Sequence, residues 1–176
     1  MRGETVLHPI PPEADGQAKI LILGSFPSVA SRETAYFYGH PQNRFWRVLA
    51  AVYGEAVPKT VAEKKALLHR RHIALWDVIG SCRIVGSADS SISEVRANDL
   101  RPLLAENPIG AIYVNGKTAE RYYKRLIEPV IGRPAVCLPS TSPANAACSL
   151  QALVAAWCAI AAQEPVSFFQ EWFFIS

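Results

Sequence analysis

The run Lys19-Ile20-Leu21-Ile22-Leu23, stopped by Gly24, constrains this chain more than any other feature. Four consecutive aliphatic residues leave no polar position to turn toward water, so the segment reads as a strand buried on both faces. Strands of that kind belong to parallel sheets, where crossover helices cover both sides. Three later runs repeat the signal: His72-Ile73-Ala74-Leu75-Trp76-Asp77-Val78, Gly110-Ala111-Ile112-Tyr113-Val114 and Ala135-Val136-Cys137-Leu138.

Helical periodicity fills the gaps. A helix is expected over 43–53, with Asn43 as N-cap and Gly54 just past its end. Thr60-Val61-Ala62-Glu63 has the capping-box pattern and opens a second helix through Leu68. Further helices are expected over 99–105, 117–127 and 149–163, while 25–42 reads as a long functional loop. Right-handed crossovers between these elements give an α/β fold, a three-layer α/β/α arrangement around a central, mostly parallel sheet of about four strands. The whole chain, 1–176, reads as a single domain with its core over about 19–163. The aromatic tail Phe168-Phe169-Gln170-Glu171-Trp172-Phe173-Phe174 fits none of these elements, and either folds back over the core or mediates self-association.

Composition narrows the function classes. Of the 176 residues half are hydrophobic and 19% charged, which suits one compact core rather than a disordered chain. The net charge of +3 is compatible with a phosphate-bearing partner without announcing one. Cys82, Cys137, Cys148 and Cys158 stand far apart, without metal-site spacing, and read as buried reduced thiols. The N-terminus lacks an apolar signal core, and the apolar run over 150–162 falls short of the roughly 20 residues that span a bilayer. A cytoplasmic monomer with no membrane segment, no metal and no cofactor is therefore expected.

In parallel sheets ligands bind beyond the carboxyl ends of the strands, so residues after Leu23, Trp76, Val114 and Leu138 should line one cleft. The first end carries Gly24-Ser25-Phe26-Pro27-Ser28, a turn rich in hydrogen-bond donors. It does not match the G-x-S-x-G elbow of serine hydrolases, and no G-x-G-x-x-G or P-loop follows the strand. Asp77, at the second end, can read a base edge or cap the next turn. Asn115, with Gly116, ends the third strand, either as a ligand contact or as an ordinary Asn-Gly turn, and Lys117 is the better phosphate candidate.

Gly24-Ser25-Phe26-Pro27-Ser28, Tyr38-Gly39-His40-Pro41-Gln42-Asn43-Arg44-Phe45-Trp46 and Leu138-Pro139-Ser140-Thr141-Ser142-Pro143-Ala144-Asn145 together resemble the signature segments of the uracil-DNA glycosylase superfamily. The likeness is greatest to its hypoxanthine-DNA glycosylase branch and spans about 21–145. It implies a monofunctional enzyme that flips a deaminated base, hypoxanthine or uracil, out of DNA and hydrolyses its glycosidic bond. Mismatch-specific members carry a catalytic asparagine where this chain has Phe26. The hypoxanthine branch moves that asparagine into the later segment, which implies Asn43 as the catalytic residue, with Ser25, Phe26 and His40 beside it. An asparagine cannot act as a base near neutral pH, so its carbonyl oxygen would orient the attacking water while its amide group contacts the base or sugar.

The same resemblance implies that Tyr38 stacks on the extruded base, although loop packing is its ordinary role. It further implies that Asp77 reads that base; by position Gly24 is a second base contact, Asn115 contacts either the base or a phosphate, and Ser28, Ser31, Lys117, Ser140, Ser142 and Asn145 are the candidates to grip DNA. Pro143 and Ala144 are the small apolar candidates for insertion into the duplex. Arg44 and Arg83 are the two arginines expected near the cleft. Two competing readings are a nucleotide- or flavin-binding α/β module and a catalytically silent binder of damaged DNA.

Overall fold

The computed structural model describes residues 3–163. The aromatic tail over 168–174 lies outside them. In chain order the elements are β1 (Glu4–Leu7), β2 (Ile20–Gly24), α1 (Val29–Thr34), α2 (Phe45–Tyr53), α3 (Val61–Arg70), β3 (Ile73–Asp77), β4 (Ile79–Ile84), β5 (Ser93–Ala97), α4 (Arg101–Glu106), β6 (Ala111–Asn115), α5 (Lys117–Tyr122), α6 (Glu128–Ile131), β7 (Val136–Leu138) and α7 (Leu150–Trp157).

The four aliphatic runs form one parallel sheet in the order β3-β2-β6-β7. β2 sits inside it, bonded on both edges, which is why all five of its residues are buried. Its side chains alternate between two cores. Ile20 and Ile22 pack with Phe45, Leu49, Leu68 and Trp157 under α2, α3 and α7, while Leu21 and Leu23 pack with Leu103, Ile112, Ala119 and Tyr122 under α4 and α5. The three-layer α/β/α arrangement is thus present, with helices on both faces.

A second sheet was not anticipated. β1, β4 and β5 form a three-stranded antiparallel sheet, and Cys82 and Ile84 of β4 pack into the second core beside α4 and α5. β4 follows β3 after Val78 alone, and Asn98 fastens the junction by donating Nδ2–H bonds to the carbonyls of Asp77 (2.9 Å) and Ile79 (3.2 Å). The segment read as a loop over 25–42 contains α1, capped by Ser28, whose hydroxyl oxygen accepts from Ser31 N–H. The expected helix over 43–53 begins at Phe45, with Asn43 Oδ1 accepting from Phe45 N–H at 2.9 Å. Thr60 and Glu63 make the capping box as read. The helix over 117–127 widens into a π-type turn after Tyr122 and continues as α6 to Gly132. Of the four thiols, all free, only Cys82 is buried; Cys137 and Cys148 are half-buried and Cys158 is exposed.

Three indole N–H groups tie loops to this frame. Trp76 donates to Ile10 O (3.0 Å), Trp46 to Phe37 O (3.2 Å) and Trp157 to Pro139 O (3.0 Å). The indoles of Trp46 and Trp157, both buried, satisfy their donors on carbonyls directly before Tyr38 and Ser140, and half-buried Trp76 holds the segment that follows His8, so packing and loop position are set together.

Candidate active site

The carboxyl ends of β2, β3 and β6 and the segment after β7 open into a cavity of about 270 Å³. Fourteen of the residues singled out in the sequence line it: Gly24, Ser25, Phe26, Ser28, Ser31, Tyr38, His40, Asn43, Asp77, Asn115, Ser140, Ser142, Pro143 and Ala144. Lys117 and Asn145 do not; they line an adjoining groove. Lys117 is exposed and paired with Glu120 at 3.3 Å, and Asn145 Nδ2 donates to Ser140 O at 2.9 Å. Arg83 is remote from the cavity, where it spans β4 and β5 toward Glu94 and donates to Gly3 O. Arg44 is near it but spends its guanidinium on backbone carbonyls of Ser142, Asn145 and Cys148, riveting the Ser-Pro-rich loop to the start of α2.

The orientation of Asn43 follows from its partners. Phe45 N–H can only donate, so the atom facing it must be Oδ1. The Thr141 hydroxyl donates to the same oxygen at 2.9 Å. Both lone pairs of Oδ1 are therefore engaged, and Nδ2 is the atom left for a ligand. The carbonyl oxygen expected to orient water is thus held by the protein itself, and the amide expected to contact the base or sugar is the part of the side chain without such partners in this network. His40 supports the same turn from its backbone, its carbonyl accepting from Asn43 N–H at 2.9 Å, while its Nδ1 accepts from Gln42 N–H.

Asn115 is fixed by the same logic. Its Oδ1 accepts from Thr141 N–H (3.0 Å), and its Nδ2 donates to Thr141 Oγ1 (2.9 Å) and to Tyr38 Oη (3.3 Å). It thus braces its neighbours and spends both amide protons on them. Gly116, at φ 94°, lets this strand end approach the next one: a Cβ there would lie 2.9 Å from Ser140 Cβ. Thr141, only 1% exposed, is the hub of the network and was not singled out in the sequence.

Tyr38 adopts φ 53°, a left-handed conformation unusual for an aromatic residue. Its ring stacks on Phe45 at 4.0 Å and 15°, so that face is covered by the protein itself. Burial, followed by the Asp77 charge, raises its pKa far above the ordinary phenol value, keeping the hydroxyl neutral. Ser31 is buried, its hydroxyl accepting from Gly39 N–H at 2.9 Å and holding the Tyr38 turn. Phe26 packs into the second core, edge-on to the ring of His8 at 5.9 Å.

Asp77 is 4% exposed, and its Oδ2 lies 2.7 Å from His8 Nε2. Gly24 is required beside it, because a Cβ at that position would collide with Asp77 Oδ1 and lie 3.1 Å from Tyr38 Oη. His8 went unnoticed in the sequence because it is 69 residues from its partner. So did Asp89, which enters the cavity wall from the loop after β4. Its residue as a whole is exposed, yet burial of the carboxyl pushes its pKa up, against hydrogen bonds from Thr118 and Ser25 and the charge of Arg121.

A parallel sheet with a cavity at its carboxyl ends, lined by Asn43 and the buried Asp77 among others, defines an α/β protein whose cleft lies where such sheets bind ligands. The chain belongs to the uracil DNA glycosylase superfamily, whose sequence family matches residues 11–161. It is similar to the hypoxanthine DNA glycosylase of Methanosarcina acetivorans, 38% identical over 141 residues, covering 77% of this chain and 85% of that relative. The hypoxanthine DNA glycosylase of Methanosarcina barkeri is 34% identical over 140 residues, with the same coverage. The solution NMR structure of a candidate uracil DNA glycosylase from Methanosarcina acetivorans superposes with a TM-score of 0.72 at 31% identity, covering 92% of this chain and 99% of that one.

Proposed function

We propose that this protein is a monofunctional DNA glycosylase that releases a flipped deaminated base, with hypoxanthine as its principal substrate and uracil as a second one for the same pocket. The observation that carries the reading is the pairing, in one cavity, of a committed donor with a buried acceptor: Asn43 Nδ2 and Asp77. Hypoxanthine and uracil both carry a ring N–H beside a carbonyl, so a carboxylate can accept from one while amide donors meet the other. Adenine presents a lone pair at that ring nitrogen and is repelled.

In the reaction the bond from the base nitrogen to C1′ breaks and its electron pair leaves with the base. Water adds to the resulting oxocarbenium-like sugar, and the proton it loses neutralises the base anion. Asn43 Nδ2 serves as a fixed donor to the developing charge, preorganised because its oxygen is already held. No lysine lines the cavity to form a Schiff base, which supports an abasic site as the product. The face of Tyr38 opposite Phe45 would stack on the extruded base. The Ser140, Ser142, Pro143 and Ala144 segment, clamped by Arg44, and the groove with Lys117 beyond it would follow the DNA backbone.

The test is incubation with labelled oligonucleotides carrying deoxyinosine, deoxyuridine or normal bases, in EDTA, followed by alkaline cleavage at abasic sites, alongside Asn43→Ala. Cleavage of deoxyinosine strands that is lost in the variant supports the proposal. Binding without cleavage would instead assign the chain to the catalytically silent class.

A further inference from the structure

His8 comes from a segment that precedes the parallel sheet, yet its side chain reaches the carboxylate at the sheet's carboxyl end. The route is fixed by the backbone. Glu13 exchanges two hydrogen bonds with Leu75 (2.9 and 3.0 Å), Trp76 Nε1–H holds Ile10 O, and His8 N–H donates to Gly80 O at 2.8 Å. The imidazole is then boxed edge-on between Phe26 and Trp76, at 5.9 and 6.1 Å, and its side chain is 3% exposed.

The ring's protonation is set by what faces it. Ile10 N–H points at His8 Nδ1 (3.3 Å), and a backbone N–H can only donate, so Nδ1 carries the lone pair. The proton is on Nε2, which donates to Asp77 Oδ2 at 2.7 Å. One carboxylate oxygen is thereby tied to a neutral ring away from the cavity. The other, Oδ1, lies at the Gly24 and Tyr38 end, on the cavity side.

We infer that His8 is the positioning residue that presents Asp77 to the cavity as a one-directional acceptor, and that the pair together selects bases bearing a ring N–H beside a carbonyl. The inference rests on the reading of Asp77 as the base acceptor. A carboxylate without this tie could rotate and offer either oxygen. A neutral imidazole with its Nδ1 satisfied prevents rotation and gives the carboxylate one fixed donor, much as a carboxylate fixes the tautomer of a metal-bound or catalytic histidine in the reverse sense.

The experiment uses the full chain and single-turnover excision from duplexes carrying deoxyinosine, with DNA binding and thermal melting measured on each variant. His8→Met fills the space without a donor; His8→Gln places an amide N–H near the position of Nε2. The expected result is at least a tenfold slower excision in His8→Met, with DNA affinity within threefold of the parent, and recovery to within threefold of the parent rate in His8→Gln. Full activity in folded His8→Met overturns the inference. So does a folded His8→Gln whose excision is more than tenfold slower than the parent's, since the N–H would then not be what matters. Asp77→Asn separates the two levels. Because His8 Nε2–H keeps the amide oxygen on its side, the NH2 faces the cavity, and the excision of deoxyinosine relative to deoxyadenosine should fall at least tenfold. If that ratio is unchanged, the reading of Asp77 fails and the inference fails with it. If the ratio falls while His8→Met stays fully active, only the inference fails.

Discussion

The hydroxyl of Thr141 donates to Oδ1 of Asn43 at 2.9 Å, across 98 residues of sequence, and at the same time accepts from Asn115 Nδ2 at 2.9 Å. Thr141→Val keeps the shape and removes both bonds. Leaving those buried groups unpaired costs about 1–3 kcal/mol. If the Asn43 amide is aimed by this hydroxyl, excision slows by roughly tenfold or more, with little change in DNA affinity. Thr141→Ser, which retains the hydroxyl, should stay close to the parent. Single-turnover rates of the two variants check this, and equal rates would dissociate Thr141 from the reaction.

Gly24 is predicted to tolerate no side chain. In Gly24→Ala the new Cβ meets the Asp77 carboxylate, a buried group fixed by His8 that cannot swing away freely. Overpacking of this kind costs about 1–3 kcal/mol. Thermal melting should therefore drop while deoxyinosine excision falls much further than the stability loss explains. A variant with parental melting and activity would mean that the cavity floor is softer than its geometry implies.

Arg44 makes a different prediction. Its guanidinium reaches carbonyls of Ser142, Asn145 and Cys148 at once, which a lysine ammonium cannot reproduce in plane. Arg44→Lys should loosen the loop carrying Ser142, Pro143 and Ala144, weakening DNA binding by roughly tenfold, about 1.4 kcal/mol, while the rate at saturating enzyme changes less. Titration of enzyme against labelled duplex separates the two effects.

The tyrosines set an alkaline limit. Burial, aided by neighbouring carboxylates, raises Tyr36 and Tyr38 well above the ordinary phenol pKa and brings Tyr123 to about 12. In the unfolded chain these groups titrate near the model-peptide value of about 10. A folded value above the unfolded one means that the stabilisation is complete below pH 10 and is lost progressively as pH rises past it. Denaturant midpoints should be flat with respect to these groups up to about pH 10 and fall beyond it. Tyr38→Phe should make that fall shallower, and an unchanged slope would argue against burial of its hydroxyl.

The sheet was legible because its strands carry an uninterrupted signal: Ile20-Leu21-Ile22-Leu23 has no polar residue to confuse the reading, and its neighbours are nearly as apolar. The antiparallel sheet was not. β4 and β5 mix Gly80, Ser81, Arg83, Ser93 and Arg96 among their apolar residues, and their pairing contains two register shifts, so no clean alternation survives. At the site, the strand-end rule named Gly24, Ser25, Asp77 and Asn115, which end or directly follow strands, whereas Tyr38, His40 and Asn43 lie beyond α1 and came from the resemblance. Thr141, His8 and Asp89 were missed for a common reason. Their importance lies in partners 98, 69 and 64 residues away, and no local spacing records such a pairing. Ser31 and Asn115 show the converse: residues legible as polar contacts whose hydrogen bonds hold the protein itself.

The most direct test of the account is the release of free hypoxanthine from a deoxyinosine duplex under single-turnover conditions by the parent chain and by Asn43→Asp. The substitution keeps an oxygen for Phe45 N–H and the Thr141 hydroxyl and replaces only the NH2 that faces the cavity. The account predicts hypoxanthine release by the parent and a rate lower by about a hundredfold or more in the variant, the scale of removing one preorganised donor. Release by Asn43→Asp at the parental rate, or no release by the parent at all, would contradict it.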